Sequence, residues 1–482
     1  MTRLFNWRIV FKTMGMLTTL ETLFMIVPTF AAWWYHEPDL GAWVVSCGIT
    51  WLSSWWMLLA GRNAEKRVGE REGYVIVATV WLVYSLFGML PFWLSGALPS
   101  ITDAWYETMA GFTTTGSTVF TDVTAQTHSV LLWRALMQWI GGMGIIVLSV
   151  AILPMFGLGG MQLYSAEVTG VSYDKLSPRI ADTAKHMWLT YIGLTVAEGF
   201  ILWLFGMGRF DAICHSMATI STGGFATHNN SVISYGPAIQ WTIALFMLLS
   251  GINFTQLIYL FRGKPLRLIK DEETRWFVSA CLLAGLALAI GLIIHYGSIE
   301  GIRVGMFTAI ATITSTGFVA ADYMIWPPVL WMLVFFLMLP GGASGSTAGG
   351  IKWVRVAVFA KSAHAEIRRR IHPNAIIPVR FNGNTLREQT TSNVMAFMCF
   401  YFVIIGIAAI CFCGCGIGFD ESIGVAVSMI GNVGVSIGQW GSSGCYAAFP
   451  AVAKWIATFV MLIGRLEIFT VLLLFSRALW KK

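Results

Sequence analysis

Four short polar segments stand out from an otherwise apolar chain: Thr113-Thr114-Thr115-Gly116-Ser117-Thr118, Ser221-Thr222-Gly223-Gly224-Phe225, Thr314-Ser315-Thr316-Gly317-Phe318 and Gly431-Asn432-Val433-Gly434-Val435. Counted between Gly116, Gly223, Gly317 and Gly434, they recur at 107, 94 and 117 residues. The chemistry open to such a turn is that of its backbone. Consecutive carbonyl oxygens replace the hydration shell of a monovalent cation, and glycine lets the chain turn them inward without a side-chain clash. One turn of this kind is an ordinary loop or helix cap. Four in register predict a filter around one axis, lined by the carbonyls of Thr114, Thr115, Gly116, Ser221, Thr222, Gly223, Ser315, Thr316, Gly317, Asn432, Val433 and Gly434.

A second cluster lies at Pro340-Gly341-Gly342-Ala343-Ser344-Gly345-Ser346-Thr347-Ala348-Gly349-Gly350, inside what is otherwise one apolar run from Val329 to Lys361. Proline followed by so many glycines holds helix poorly, so this segment is either a kink or a loop blocking the pore beneath the filter, and its small polar residues favour the gate. Arg465 falls at the matching depth of the last repeat, in Gly464-Arg465-Leu466-Glu467. A charge at that depth is costly unless it faces the pore or a partner, for which Glu467 and Glu198 are the structural candidates. Lys454, further out on the same helix, is assigned only snorkelling.

These turns need elements to hold them, and composition says which kind. The 482 residues are 56% hydrophobic and 11% charged, too little polar surface for a water-soluble globule. Many runs reach the ~20 apolar residues of a membrane span. Trp33, Trp34, Trp93, Trp276, Trp326 and Trp480 sit at run ends, as interfacial anchors do. Arg3, Arg8 and Lys12 precede a run that continues past Phe30 without a small-residue cleavage site, which makes it a first span rather than a signal peptide. Basic clusters at Arg62/Lys66/Arg67/Arg71, Lys175/Arg179/Lys185, Arg262/Lys264/Arg267/Lys270/Arg275 and Lys361/Arg368/Arg369/Arg370/Arg380/Arg387 mark cytoplasmic loops and place both termini in the cytoplasm. Arg134, Arg209 and Arg303 are the exceptions, on the side that carries Asp103, Asp122, Asp322, Asp420 and Glu421. The net charge of +7 thus serves topology, not nucleic-acid binding.

Between successive basic clusters the chain holds an apolar run, a segment of about a dozen residues too short to cross, a polar turn, and a longer run. The short piece fits a re-entrant half-helix, whose carboxyl end favours a cation at the turn. Gly144, Gly251 and Gly345 each follow the reference glycine by 28 residues and Gly464 by 30, near the middle of the second run. The expected fold is an all-α polytopic membrane protein with four in-chain repeats of outer helix, re-entrant half-helix with filter loop, and inner helix around one pseudo-fourfold pore. Two extra N-terminal spans bring the expectation to ten spans and four half-helices. The boundaries are 1–72 for the N-terminal pair, then 73–185, 186–275, 276–392 with the gate loop, and 393–482.

The four Ser/Thr-Gly turns, the repeat plan and the charge pattern together resemble the Trk/Ktr/HKT superfamily of potassium transporters along nearly the whole chain. The two N-terminal spans point to the bacterial TrkH/TrkG type. The resemblance implies potassium uptake through a channel-like pore, a gate at residues 341–350 with Arg465 raising the barrier to cations at rest, a homodimer with one pore per chain, and cytoplasmic TrkA-type nucleotide-binding subunits. It implies potassium as substrate and no organic cofactor in this chain. Serine in place of a filter glycine accompanies altered ion preference in that superfamily, and all four glycines stand here. Asn432-Val433 departs most from the pattern.

Other functions compete. A sodium-preferring or mixed-cation transporter of the same fold stays open. A coupled secondary transporter needs membrane carboxylates, for which Glu21, Glu107 and Glu198 are scattered candidates. An intramembrane enzyme finds no HExxH, no GxSxG and only dispersed histidines at 186, 215, 295 and 364. Cys411, Cys413 and Cys415 with Cys445 match no common zinc spacing and count as small helix-end residues. The acidic outer residues serve equally as a cation-concentrating mouth or as solvated helix ends.

Overall fold

A computed structural model describes residues 5–64, 69–144, 180–442, 444–466 and 468–477. Lys66, Arg67, Lys175, Arg179, Glu467 and Trp480, invoked above for topology, ion pairing and anchoring, lie outside the described residues.

The described residues hold six helices long and apolar enough to cross a membrane: Trp7–Trp34, Leu40–Ala60, Arg71–Leu94, Ala184–Leu204, Glu272–Tyr296 and Glu388–Gly414. Each of the last four precedes one of four short buried helices. Their apolar residues face outward as well as inward; Leu283, Leu286, Ile290 and Ile294 make one exposed stripe along Glu272–Tyr296, a surface suited to lipid.

The sequence predicts ten full spans, whereas the helices that follow the polar turns are bent or interrupted. Pro237–Ser250 and Phe254–Phe261 meet at 107°, and Ala451–Leu466 and Ile468–Phe475 at 113°, so among the described residues the count is six, or up to eight if each bent pair is one span. Pro328–Leu337 and Trp353–Ile371 are separated by a non-helical stretch, and His128–Gly142 ends in a left-handed Gly144. At the first bent pair the cause of the break is local: the Asn253 side chain accepts from Thr255 N at 2.8 Å, starting the next helix with its own cap.

Four short buried helices, Ile101–Phe112, Arg209–Ile220, Glu300–Ile313 and Phe419–Gly431, are 12, 12, 14 and 13 residues long. At ~1.5 Å per residue they reach roughly 20 Å, short of the ~30 Å hydrocarbon core. Every one carries an acid in its first turn (Asp103, Asp211, Glu300, Asp420 and Glu421), the end where the helix dipole favours negative charge.

The two N-terminal helices pack on each other, with Gly15 against Leu58 and Ser54, and their connecting turn reaches across the fold. Glu37 accepts from the backbone N–H of His128 and Ser129 at 2.6 and 3.0 Å, and Asp39 accepts from Thr127 and Ser129 hydroxyls at 2.8 Å each. The pair therefore supplies the anionic cap of the first inner helix. Trp33, Trp34, Trp93 and Trp276 are exposed at helix ends, whereas Trp326 is only 5% exposed and packs on Tyr323, so it belongs to the core and not to the interface. One departure from all-helical structure is a hairpin pairing Arg380–Phe381 with Asn384–Thr385 through a left-handed Asn382-Gly383 turn, docked on Asp271 and Glu272.

Candidate functional site

Each half-helix ends in the same backbone device. After Ile101–Phe112, Thr114 N–H donates to the Gly111 carbonyl at 3.0 Å and Thr115 N–H reaches back to Ala110 at 2.9 Å. Thr222 and Gly223 repeat this with Thr219 and Ala218, Ser315 and Thr316 with Thr312 and Ala311, and Asn432 and Val433 with Met429 and Ser428. This is the Schellman ending, whose pivot is left-handed and usually glycine. Here the pivots are Thr114, Thr222, Ser315 and Asn432, at φ of 54°, 54°, 53° and 52°. Side chains in that region cost roughly 1–2 kcal/mol each, and such strain persists at sites where the surroundings over-determine it.

Two residues after each pivot stands a second positive-φ residue, always glycine: Gly116, Gly224, Gly317 and Gly434. The reference glycine of the second turn is therefore Gly224, not Gly223, and the equivalent triple is Thr222-Gly223-Gly224 rather than Ser221-Thr222-Gly223. Ser221 is the helix cap before the pivot, in the place of Thr113 and Thr314.

The four glycines lock the turns together in cyclic order. A Cβ on Gly116 would overlap the Gly223 carbonyl oxygen; on Gly224, that of Thr316; on Gly317, that of Val433; and on Gly434, that of Thr115. The first turn thus abuts the second, the second the third, the third the fourth and the fourth the first. Side chains staple each turn differently. Thr113 and Thr115 hydroxyls pair at 2.8 Å, and Thr314 and Thr316 at 2.7 Å. In the fourth turn the Asn432 amide donates to Thr115 Oγ1 at 2.9 Å and to the Met461 carbonyl at 3.0 Å, which accounts for the departure of that turn from the Ser/Thr pattern. In the second, Gln138 Nε2 donates to the Gly223 carbonyl at 2.6 Å and its Oε1 accepts from Phe225 N–H at 3.1 Å.

Behind the turns lies a polar frame that the sequence did not reveal. Arg134 Nε bonds Glu107 Oε1 at 2.8 Å, with the side chains 2% and 0% exposed. The same guanidinium donates to the Ala226 carbonyl and Thr118 Oγ1, and stacks over Phe225 at 4.0 Å. Glu107 also accepts from Val119 N–H at 2.8 Å. Arg134 is therefore an exception to the charge rule because it belongs to a buried pair bracing two turns, and Glu107 is not an isolated carboxylate. Lys454 does not snorkel: its Nζ donates to Asp103 at 2.6 Å and to the Ala447 carbonyl at 2.8 Å, tying the last inner helix to the first half-helix. Tyr446 donates to the Gly434 carbonyl at 3.1 Å. Chain separation, 351 residues for Lys454 and Asp103, hides such pairs from any local pattern.

Residues 338–352 form a packed loop beneath the ring, not a kink. Ala343 N–H donates to Gly251 O at 2.8 Å, Ser344 N–H to Glu273 Oε1 at 2.6 Å, and Gly349 N–H to Ser315 Oγ at 2.7 Å. Thr347 Oγ1 donates to Ile220 O at 3.0 Å, at the end of the second half-helix. Gly341, Gly345 and Gly350 take positive φ. Gly349 lies so close to the Gly431 carbonyl that a Cβ there would overlap it. Arg465 Nη1 donates to Thr347 O at 2.8 Å, and Nη2 to Gly141 O and Gly142 O at 2.6 and 2.8 Å. Its described hydrogen-bond partners are backbone carbonyls, and its guanidinium also lies over the Trp81 ring at 5.9 Å.

The equal spacing of Gly144, Gly251 and Gly345 does not correspond to equal placement. Gly142 meets Ser221, Gly251 meets Thr314 and Gly349 meets Gly431, whereas Gly345 sits at the exposed loop tip against Asn253. Backbone approach, and not register along the chain, sets where glycine is needed.

At the outer rim, Asp122 accepts from Thr124 and Asn229, and these bonds hold its carboxyl below the usual range. Asp322 accepts from Ser442 and Met324 N–H, and Glu421 from Gln439 N–H at 3.0 Å. The rim acids thus brace loops. Cys411 and Cys413 are exposed in the last turn of their helix. A ring of backbone oxygens at the ends of four converging helices, above a carbonyl-rich loop crossed by one guanidinium, suits selection and control of a small dehydrated cation.

The profile of the TrkH family, described as a cation transport protein, matches residues 53–482. The Trk system potassium uptake protein TrkH of Halomonas elongata is 37% identical over 98% of this chain and 99% of its own length. The protein of the same name from Escherichia coli (strain K12) is 35% identical over 99% of the chain and 100% of its own length. The crystal structure of the potassium transporter TrkH from Vibrio parahaemolyticus matches with a TM-score of 0.89 and 30% identity, covering 99% of this chain and 100% of that one.

Proposed function

The chain belongs to the TrkH family of cation transport proteins, and from that premise we propose that it takes up potassium across a bacterial plasma membrane through a single pore within the chain. It is a multi-pass membrane protein and a transport protein, not an enzyme. The observation that carries the reading is the closed cycle of contacts between the four turns.

In this reading the filter is lined by the carbonyls of Thr114, Thr115, Gly116, Thr222, Gly223, Gly224, Ser315, Thr316, Gly317, Asn432, Val433 and Gly434. The four repeats surround the pore pseudo-fourfold, following the boundaries given above. Residues 341–350 are the gate, held shut by Arg465, whose positive charge beneath the filter also repels cations. The basic loops face the cytoplasm with both termini. The protein works as a homodimer on nucleotide-binding cytoplasmic subunits; that its relatives are named for a Trk system supports further components.

The test is tracer flux into liposomes holding the purified protein, with potassium, rubidium, sodium and lithium compared. Flux of potassium and rubidium well above sodium and lithium supports the reading. Equal flux of all four sends it to the mixed-cation alternative, and no flux of any, in the presence or absence of nucleotide and cytoplasmic partner, removes the pore.

A further inference from the structure

The second turn differs from the others at one position. After the pivot the first, third and fourth turns carry Thr115, Thr316 and Val433, all β-branched and buried, whereas the second carries Gly223. A Cβ built on Gly223 would overlap the carboxamide of Gln138. Gln138 comes from the preceding inner helix, His128–Gly142, and is fully buried. Its side chain therefore fills the space that a β-branched residue fills in the other three turns.

The carboxamide also does what no hydrocarbon does. It donates to the Gly223 carbonyl and accepts from Phe225 N–H, so its two polar ends bracket Gly224. Only an amide satisfies both groups. A carboxylate sets an acceptor against the Gly223 oxygen, and an aliphatic side chain leaves both buried groups unpaired. Without this clamp, two adjacent glycines leave the turn with the widest conformational freedom of the four.

We infer that Gln138 is a positioning residue for ion selection, and that Gln138 and Gly223 form a compensating pair in which one residue replaces the side chain the other lacks. The inference rests on the filter reading above. Loosening the second turn lets its carbonyls close around a smaller ion, so the loss appears as sodium admission.

The experiment is rubidium and sodium uptake into liposomes by the full chain with Gln138→Ala, Gln138→Met, Gly223→Thr and the double variant Gln138→Ala/Gly223→Thr, beside Gly317→Ser as a control in the neighbouring third turn, which Gln138 does not touch. Gln138→Ala and Gln138→Met, the second preserving volume, should each raise the sodium-to-rubidium ratio about tenfold, the equilibrium weight of the lost hydrogen bonds. Gly223→Thr should lose most rubidium uptake through its clash with Gln138. In the double variant the introduced threonine gains room and a hydroxyl partner in Ser221, as Thr115 has in Thr113, and selectivity should recover beyond either single change. A ratio unchanged in both Gln138 variants, or a double variant no better than the worse single one, overturns the inference. Selectivity unchanged in Gly317→Ser as well indicts the filter reading itself, while a shift there alone indicts only Gln138.

Discussion

Arg465 on the last inner helix hydrogen-bonds the carbonyl of Thr347 in the loop beneath the turns, at 2.8 Å, with its other nitrogen on Gly141 and Gly142. One guanidinium on Ala451–Leu466 thereby joins the loop at Thr347 to the end of His128–Gly142. Arg465→Gln removes the charge and shortens the set of donors. Basal rubidium flux should rise about tenfold to a hundredfold, the factor given by the ~1.5–3 kcal/mol of hydrogen bonds to a charged group. Arg465→Lys should fall between the two, since an ammonium cannot span all three carbonyls. Unaltered basal flux in Arg465→Gln would remove this residue from the gate.

Gly317 leans on the carbonyl of Val433 with φ at 76°. Gly317→Ser puts a Cβ into that oxygen and a side chain into left-handed backbone. Strain of ~1–3 kcal/mol at such a site should appear as a roughly tenfold higher sodium-to-rubidium flux ratio, read in the same liposomes.

The Glu107–Arg134 pair is buried on both sides. Removing one partner strands the other charge, so Glu107→Ala or Arg134→Ala should cost ~3–5 kcal/mol, seen as a fall in Tm in detergent. Glu107→Leu/Arg134→Leu should recover part of the loss. A single variant as stable as the wild type would show that the pair braces nothing.

Asp122 binds Thr124, Ala125 and Asn229, which depresses its carboxyl pKa. A depressed pKa contributes stability that is complete above the unfolded value, ~3.9 for Asp, and disappears as pH falls through the folded one. The Tm difference between the wild type and Asp122→Asn should therefore be flat from about pH 5 to 8 and shrink only below about pH 4. A difference that shrinks between those neutral values would assign the effect to another group.

The sequence discloses what depends on composition and local chemistry. Apolar runs such as Glu272–Tyr296 are helices, the Gly-rich stretch after Leu339 is not, and polar turns end short helices. What stays hidden depends on backbone direction or on partners far along the chain. Two adjacent glycines, Gly223 and Gly224, look alike until their φ values separate them. Gln138 looks like one polar residue on an apolar helix, yet it completes a turn 85 residues away. The bend after Ser250 is equally silent, because it falls between two runs as apolar as any span.

The four left-handed pivots carry a further meaning. Thr114, Thr222, Ser315 and Asn432 each hold a posture that favours glycine, kept by backbone bonds to the helix end, and two residues further on the chain packs against the next turn. Oxygens crowded in such a ring repel one another until a cation sits among them. In the proposed filter the cargo would be a keystone: an arch of four stones that stands firm while ions occupy it and sags when they leave. If the ring is the proposed filter, the rigidity of the four turns should follow the supply of the protein's own substrate.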